Sequence, residues 1–478
     1  MENSKFIKSL QSLTKKQQTR YLEFVESPYF NHHEDVKRFV GMVLSGKTHL
    51  SQKTYFETMY PHTSYDGRRI QDLMHKSLKL LEEFLAEEQY AEQEWGRKMN
   101  ILGHITKNGP DELRTVVETN ITQLRERKPL RDSEYFYNEY QYQTEAYNLF
   151  LNQAKIQGEQ ALQTKMDVLD LFYLAAKLRD SCEMVNRNRI LAKGYELHLL
   201  DHLLHAIRED FERYAAYPAV TIYYRIMLML RNTDDAALFN DLKSEVRRHI
   251  QLFQQEEQRS LYGYLQNYCI LKINSGHAEY YRELFDIYQY MMSTGLMDAN
   301  NKNLQWDLKN MVSIALRLGE YDWAYQTINI LKDRLAKDAR DNAYTYNLAN
   351  YYYETKEYKK ATRLLQSVEF SEVYYNLDSK VMLLKIYFEQ EEEEAFFSFV
   401  AAFQAYLTRN KLISKDNYVI YSNFVRFARQ IFTHKTSLPY LQKKNSKKII
   451  QLKNTIINTK QVANINWLTK EMDKLVAV

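Results

Sequence analysis

A chain of 478 residues is too long for one compact hydrophobic core, and an apolar content of 45% is too high for a disordered polymer. With 12 Gly and 6 Pro, no proline between Pro218 and Pro439 and no glycine after Gly319, residues suited to β-hairpin turns and phosphate-cradling loops are scarce, which predicts helices joined by short polar turns. The net charge of +4 hides an asymmetry: residues 434–478 hold nine lysines against Glu471 and Asp473, a balance of +7 that leaves −3 for the rest, so any attraction to polyanions belongs to the C-terminal segment.

No apolar run approaches the ~18 residues of a membrane span, and the opening MENSKFIKSL lacks the apolar stretch of a secretory signal. Cys182 and Cys269 are too few to staple a secreted domain and read as buried thiols in a reducing compartment, so a cytoplasmic protein is expected.

In chain order, Thr14 and Gln17 fit a capping box ahead of a helix to about Glu26, Pro28 interrupts, and Asn31 with Glu34 fits a second box. The stretch His32-His33-Glu34-Asp35 reads as a polar helix start with its acids in the first turn. After Asp66, the residues Ile70, Leu73, Met74, Leu78, Leu81 and Leu85 recur at helical spacing and predict one helix with a buried face. Residues 1–90 are grouped as an N-terminal helical module. Helices are predicted at about 111–127, ending near Pro129, then 132–157, 160–180 and 188–213, with a break at Pro218. Residues 91–260 are grouped as helical hairpins. The last of these helices places His198, His202, His205 and Glu209 on a stripe opposite Leu197, Leu200, Leu204, Ile207 and Phe211, which predicts a solvated polar face rather than a zinc site.

Residues 261–432 carry an internal repeat. Aligning Ala324, Ala361 and Ala395 brings three segments into register: Leu318-Gly319-Glu320-Tyr321 before Ala324 and Ile328, Tyr346 to Tyr353 and Glu357-Tyr358 before Ala361 and Leu365, and Met382-Leu383 and Ile386-Tyr387 before Ala395 and Phe399. A weaker copy spans Leu265 to Phe285, with Gly276 at its turn and Tyr281 in the place of alanine. A small residue early in a second helix admits its partner closely while large neighbours fill the groove. The pattern resembles the tetratricopeptide repeat, whose usual period is about 34 residues.

That resemblance implies an all-α fold, a right-handed α-solenoid of helix pairs, in which the first helix of each pair lines a concave groove. Some members grip a peptide's C-terminal carboxylate there. Lys309 and Asn347 stand at two places of that clamp, but Ser313 replaces its other asparagine, and Leu377 and Val381 replace both basic residues. The standard clamp is therefore not expected. A different groove is expected, formed by Tyr346, Asn347, Asn350 and Tyr353 with Lys309 and Lys380, taking a peptide or protein partner. The alternative for Tyr346 and Tyr353 is packing against the next repeat. The run Glu391–Glu394 reads as a solvated turn between two repeat helices.

Residues 433–478 form a basic C-terminal segment. Lys443, Lys444, Lys447 and Lys448 adjoin Ile449, Ile450 and Leu452, so an amphipathic helix there either meets a polyanion or, with Trp467, Leu468 and Leu475, caps the open end of the solenoid. The absence of arginine weighs against base reading. Motifs for phosphate cradling, dinucleotide binding and serine hydrolysis are absent from the sequence, and no catalytic residue, cofactor or metal is assigned. The chain is read as a non-catalytic interaction scaffold. The rival reading is a nucleic-acid-associated regulator using residues 1–90, where Arg68 and Arg69 open a long helix, or the C-terminal lysines. Ser27-Pro28-Tyr29-Phe30-Asn31, Asp72-Leu73-Met74 and Leu80 to Leu85 resemble uncharacterised bacterial proteins, a likeness that carries no function.

Overall fold

The scarcity of glycine and proline has its expected consequence. The computed structural model describes residues 4–45, 51–127, 130–152, 159–191, 194–297, 303–367, 372–437 and 446–476, and among these are twenty-four α-helices, one short 3-10 helix and no β-strand. None of the described helices is long and apolar enough to cross a membrane. The chain divides into two compact units, Met1–Gln254 and Gln255–Val478.

The first unit begins with α1 (Lys5–Ser12), α2 (Lys15–Glu26), α3 (Glu34–Leu44), α4 (Gln52–Met59) and α5 (Gly67–Glu92). The Thr14–Gln17 capping box forms: the Gln17 amide donates to Thr14 Oγ1 at 3.3 Å and the Thr14 amide donates to Gln17 Oε1 at 3.0 Å, satisfying two helix-end donors. Asn31 does not form the second box. It is buried, and its Nδ2 donates to the Val25 carbonyl at 2.9 Å while Oδ1 accepts from the His33 amide at 2.9 Å, so it ties the end of α2 to the start of α3. In α5 the carboxylate of Asp66 caps the helix by accepting from the Arg68 and Arg69 amides. Its inner face, with Ile70, Leu73, Leu81 and Phe84, packs in one core with Phe6, Tyr21, Phe39 and Phe56. Leu85, expected on that face, is exposed because Phe84 takes the inward place.

The unit continues through α6 (Glu94–Asn108), α7 (Asp111–Arg127), α8 (Ser133–Asn152), α9 (Glu159–Leu191), α10 (Leu200–Glu209), α11 (Phe211–Tyr214), α12 (Pro218–Arg231) and α13 (Ala236–His249). Pro129 and residues 153–157, used in the sequence reading, lie outside the described residues. Two boundaries differ from expectation. The segment 160–180 continues as helix to Leu191, because neither glycine nor proline occurs from 159 to 193 to stop it. The helix expected at 188–213 is instead split, with Leu199 left-handed at φ 65° just before α10. His198, His202, His205 and Glu209 are exposed, and Leu200, Leu204 and Ile207 are buried opposite them. Pro218 is the first residue of α12, where its missing N–H leaves no helical hydrogen bond unmade. Cys182 and Cys269 are buried and not joined in a disulfide; burial pushes the Cys182 thiol up.

The second unit comprises α14 (Gln255–Asn274), α15 (Tyr280–Ser293), α16 (Leu304–Leu318), α17 (Tyr321–Lys332), α18 (Lys337–Glu354), α19 (Tyr358–Ser367), α20 (Val373–Glu389), α21 (Glu393–Arg409), α22 (Lys415–Ser437), α23 (Ser446–Asn458) and α24 (Ile465–Val476). Four turns repeat one device. The first helix of a pair ends on a left-handed residue, Gly276 (φ 96°), Gly319 (φ 78°), Lys356 (φ 66°) or Glu391 (φ 58°). The next amide in each case reaches back to a carbonyl five residues earlier: His277 to Lys272, Glu320 to Ala315, Glu357 to Tyr352 and Glu392 to Tyr387. This is the Schellman geometry, which satisfies orphaned helix-end carbonyls. Two of the four turns achieve it without glycine. Beyond the pairs, α16 packs on α18 and α18 on α20, so these three first helices lie in one layer within the unit.

Five residues after the left-handed position stand Tyr281, Ala324, Ala361 and Phe396. Ala324 and Ala361 are fully buried, as close helix pairing needs. The turn at Glu391 places Phe396, and not Ala395, in the third repeat's equivalent position. Phe396 is fully buried and stacks on Phe432 of α22 at 4.0 Å between ring centroids, whereas Ala395 is half-buried. Ala361→Leu forces three extra carbon atoms into the α18–α19 contact and is expected to destabilise the protein by about 1–3 kcal/mol. A thermal melt unchanged by this substitution would show that the pair has room to spare.

The last two helices are part of this core. Ile449 and Ile456 of α23, with Leu468 and Met472 of α24, are buried together with Phe388, Phe424, Phe427 and Phe432.

Candidate functional site

Counting back from the left-handed turns places equivalent residues of α16, α18 and α20 side by side. Ten residues before stand Lys309, Tyr346 and Val381; six before, Ser313, Asn350 and Lys385; two before, Arg317, Glu354 and Glu389. Most of these residues, with Tyr353 and Asp378, line one open cleft of about 540 Å³ across the three first helices, and Asn464 from the turn before α24 lines it as well.

Lys309 stands deep beside the cleft. Its ammonium is ion-paired with the carboxylate of Asp378 and lies 5.3 Å from the Tyr346 ring, 5.4 Å from Tyr375 and 5.7 Å from Trp306. The other oxygen of Asp378 accepts from the Tyr421 hydroxyl at 3.1 Å. Trp306 stacks on Tyr375 at 5.1 Å with 9° between planes, and Tyr375 donates to the Gln305 carbonyl at 3.0 Å. Burial, then the nearby Asp378 charge, raises the Tyr346, Tyr375 and Tyr421 hydroxyls, so all three stay protonated donors. An ammonium enclosed by aromatic faces and one carboxylate is held in place by its protein partners.

Lys385 lies one further turn along. Its ammonium donates to Asn464 Oδ1 at 2.6 Å and stands 5.6 Å from the Trp467 ring. Burial lowers this lysine to about 8, although the charges of Glu354, Glu389 and Asp378 oppose that effect. Asn464, left-handed at φ 53°, belongs to the residue types that adopt this conformation most readily.

Glu389 collects four donors. Its Oε1 accepts from the Tyr353 hydroxyl at 2.5 Å and the Trp467 indole at 3.0 Å, and its Oε2 accepts from the Tyr358 hydroxyl and from Lys356 Nζ at 3.3 Å. Burial alone would raise this carboxyl. Hydrogen bonds from Tyr353, Tyr358 and Trp467, with the Lys356 charge, outweigh it and bring the group down to about 2. One carboxylate therefore joins α18, the following turn, α19 and α24 to α20.

The residues expected at a groove thus separate. Lys309, Tyr346, Asn350 and Tyr353 come together on the α16–α18–α20 face, with Tyr346 and Tyr353 buried and Lys309 and Asn350 half-buried. Tyr346 and Tyr353 edge the cleft while packing against the next helix pair, Tyr346 on Tyr375 at 5.1 Å and Tyr353 on Glu389. Asn347 is fully buried and donates to the Ala343 carbonyl of its own helix at 2.7 Å, so it does not face the cleft. Lys380 points elsewhere, 4.5 Å from the Tyr406 ring of α21, where burial lowers its pKa. Among the clamp-equivalent positions, Ser313 and Val381 line the cleft, while Leu377 is fully buried. Lys443 and Lys444 lie outside the described residues, the Lys447 side chain is likewise not described, and Lys448 is exposed on α23.

Sequence reasoning missed Asp378, Lys385 and Glu389. Their spacing of seven and four residues puts them on one stripe of α20, a pattern visible in the sequence. Trp467 and Asn464 carried no comparable signal, since their partners lie in a helix far away in sequence.

The cleft offers an amide, a hydroxyl, a cation and an anion along three packed helices, a set suited to hydrogen-bonding an extended polar segment. Among the described residues, no three His, Cys, Asp or Glu side chains are placed to hold a metal ion. No family model, curated protein or solved structure matches this chain.

Proposed function

We infer that the chain is a non-catalytic interaction scaffold. In this reading the second unit is a right-handed α-solenoid of tetratricopeptide-like helix pairs, and its α16–α18–α20 cleft receives an extended segment of a protein partner. The observation that carries the reading is the repeated register: Ser313, Asn350 and Lys385 occupy one turn-defined position on three successive first helices and line a single cleft. The deeper Lys309–Asp378 pair and the Glu389 cluster act as its rigid support, leaving Ser313, Arg317 and Asn350 to meet the partner.

A second reading, contact with nucleic acid, draws on Lys448, exposed on α23, and on its neighbouring lysines. The two readings separate in one affinity capture from the source cell lysate, run with and without nuclease at moderate salt. The expected result is a stoichiometric protein that survives nuclease and binds at least about tenfold more weakly, about 1.4 kcal/mol or more, to the Ser313→Arg, Asn350→Arg double variant. Capture unaffected by these arginines would place the binding surface elsewhere. Co-purifying RNA or DNA, lost when Lys443, Lys444, Lys447 and Lys448 are changed to alanine, would put the second reading first. Substitution serves better than truncation, because removing residues 434–478 strips Ile449, Ile456, Leu468 and Met472 from the core.

A further inference from the structure

The first unit holds a separate cleft of about 570 Å³ that the scaffold reading does not use. It is formed where α5 meets α6, at the end of α7 and at the start of α8, and Trp95, Asp132, Tyr135 and Tyr137 are among the residues lining it. Two polar atoms there are buried without a hydrogen-bond partner: the Nε1 of Trp95 and the Oδ2 of Asp132. Asp132 is only 2% exposed. Its Oδ1 is engaged, accepting from the Tyr135 amide at 2.9 Å as the cap of α8, while Oδ2 has no donor. A buried carboxylate oxygen without a donor is costly, on the order of 1–3 kcal/mol, and such an atom calls for a ligand or water.

The charges around the cleft favour a cation. Arg125, the basic residue lining it, is held by Glu139 through two bonds of 2.7 and 2.8 Å, with its guanidinium 4.4 Å from the Tyr142 ring and 5.8 Å from one face of the Trp95 ring. Arg127 is paired with Glu94 at 2.8 Å, and Arg179 bonds Ser133 at 2.7 Å and Asp180 at 3.0 Å. Arg131 lies over the Tyr135 ring at 4.4 Å and donates to the Leu130 carbonyl. Asp132 and, at the rim, Glu92 and Glu134 remain as acids facing the cleft, Glu134 accepting only a neutral amide donor, from Gln254 at 2.7 Å. Burial raises the Asp132 carboxyl and the Glu134 charge adds to this, outweighing the Tyr135 and Glu134 amides and the Arg179 charge that oppose it; a bound cation would add to the opposing side. Aromatic faces beside a carboxylate are the usual surroundings of a bound ammonium or guanidinium.

We propose that this cleft binds a ligand headed by an ammonium or guanidinium group, with Asp132 Oδ2 as its acceptor and Trp95 and the neighbouring tyrosines as its walls. The chemistry is shared by a free polyamine and by an arginine side chain on a peptide, and the test distinguishes the two.

Trp95 is the one tryptophan of the four that precedes residue 254, so 5-fluorotryptophan labelling of the full chain gives it a signal assignable by Trp95→Phe. Spermidine, N-acetyl-arginine amide and the neutral N-acetyl-citrulline amide are titrated separately while the fluorine spectrum is followed. The expected result is a saturable shift of the Trp95 resonance with spermidine or the arginine amide and none with citrulline; whichever cation binds more tightly identifies the source. Asp132→Asn retains an oxygen that can cap α8 but loses the charge, and is expected to weaken binding at least about tenfold. Glu134→Gln at the rim is expected to weaken it less, about two- to threefold, with the effect fading at high salt. A Trp95 signal that none of the three moves, that citrulline moves equally, or that responds identically in Asp132→Asn overturns the proposal.

Discussion

Replacing Glu389 with alanine is expected to lower the stability of the second unit at neutral pH by about 3 kcal/mol. The change strands the Tyr353 hydroxyl and the Trp467 indole, two largely buried donors, and unties α24 from α20. The same figure follows from linkage. The carboxyl falls from 4.5 to about 2 on folding, and a shift of that size corresponds to about 3 kcal/mol. Because the folded value is the lower one, this stabilisation is complete above about pH 4.5 and is lost as pH falls through about 2. Urea unfolding followed by tryptophan fluorescence, repeated from pH 7 down to pH 2, is the measurement. Glu389→Gln, which keeps the shape without the charge, should differ most from the parent above pH 4.5 and converge on it in acid. A gap that stays constant across this range would mean that the carboxylate is not held by these donors.

The second large effect is expected at Phe388. Its ring is fully buried among Trp467 at 4.9 Å, Phe432 at 5.3 Å and Phe396 at 5.9 Å, one partner each from α24, α22 and α21. Phe388→Ala removes the group that all three helices share and is expected to cost about 3–5 kcal/mol, while Phe388→Leu should cost less because most of the volume remains. If denaturation shows the alanine variant within about 0.5 kcal/mol of the parent, the aromatic cluster does not hold α24 in place.

These two residues bear on how the cleft should be probed. Tyr353 looked like a ligand contact because it falls on the cleft-facing stripe of α18, but its hydroxyl is committed to Glu389. Removing Tyr353 would therefore disturb the fold as well as any binding surface. Ser313, exposed, and Asn350, half-buried, line the same cleft and are the better residues to change.

Much of the architecture was legible in the chain. Few glycines and prolines, apolar spacing of three and four, and the cap at Thr14 suffice to indicate helices, because those signals act within a turn or two of backbone. The three-segment alignment on Ala324, Ala361 and Ala395 matches the turn positions at its first two members and is offset by one residue at the third. Its error arose at Glu391: a charged residue takes the left-handed turn position that glycine takes at Gly319, so alanine was aligned where the turn itself places Phe396. Lys380 was set at the groove by analogy with a family pattern. Two residues along an α-helix is about 200° around it, so Lys380 stands opposite Asp378, against α21.

What the sequence determined by itself is helix and the apolar face of most elements, both properties of neighbours three to seven positions apart. Tertiary structure alone decided which polar groups satisfy one another: Lys309 with Asp378, Lys385 with Asn464, and Glu389 with Tyr353 and Trp467. The physical reason is that a buried charge or donor takes whatever partner packing brings within about 3 Å, and that partner sits on another element of the fold. Its distance along the chain is set by the connections between helices and leaves no periodic trace in the residues themselves.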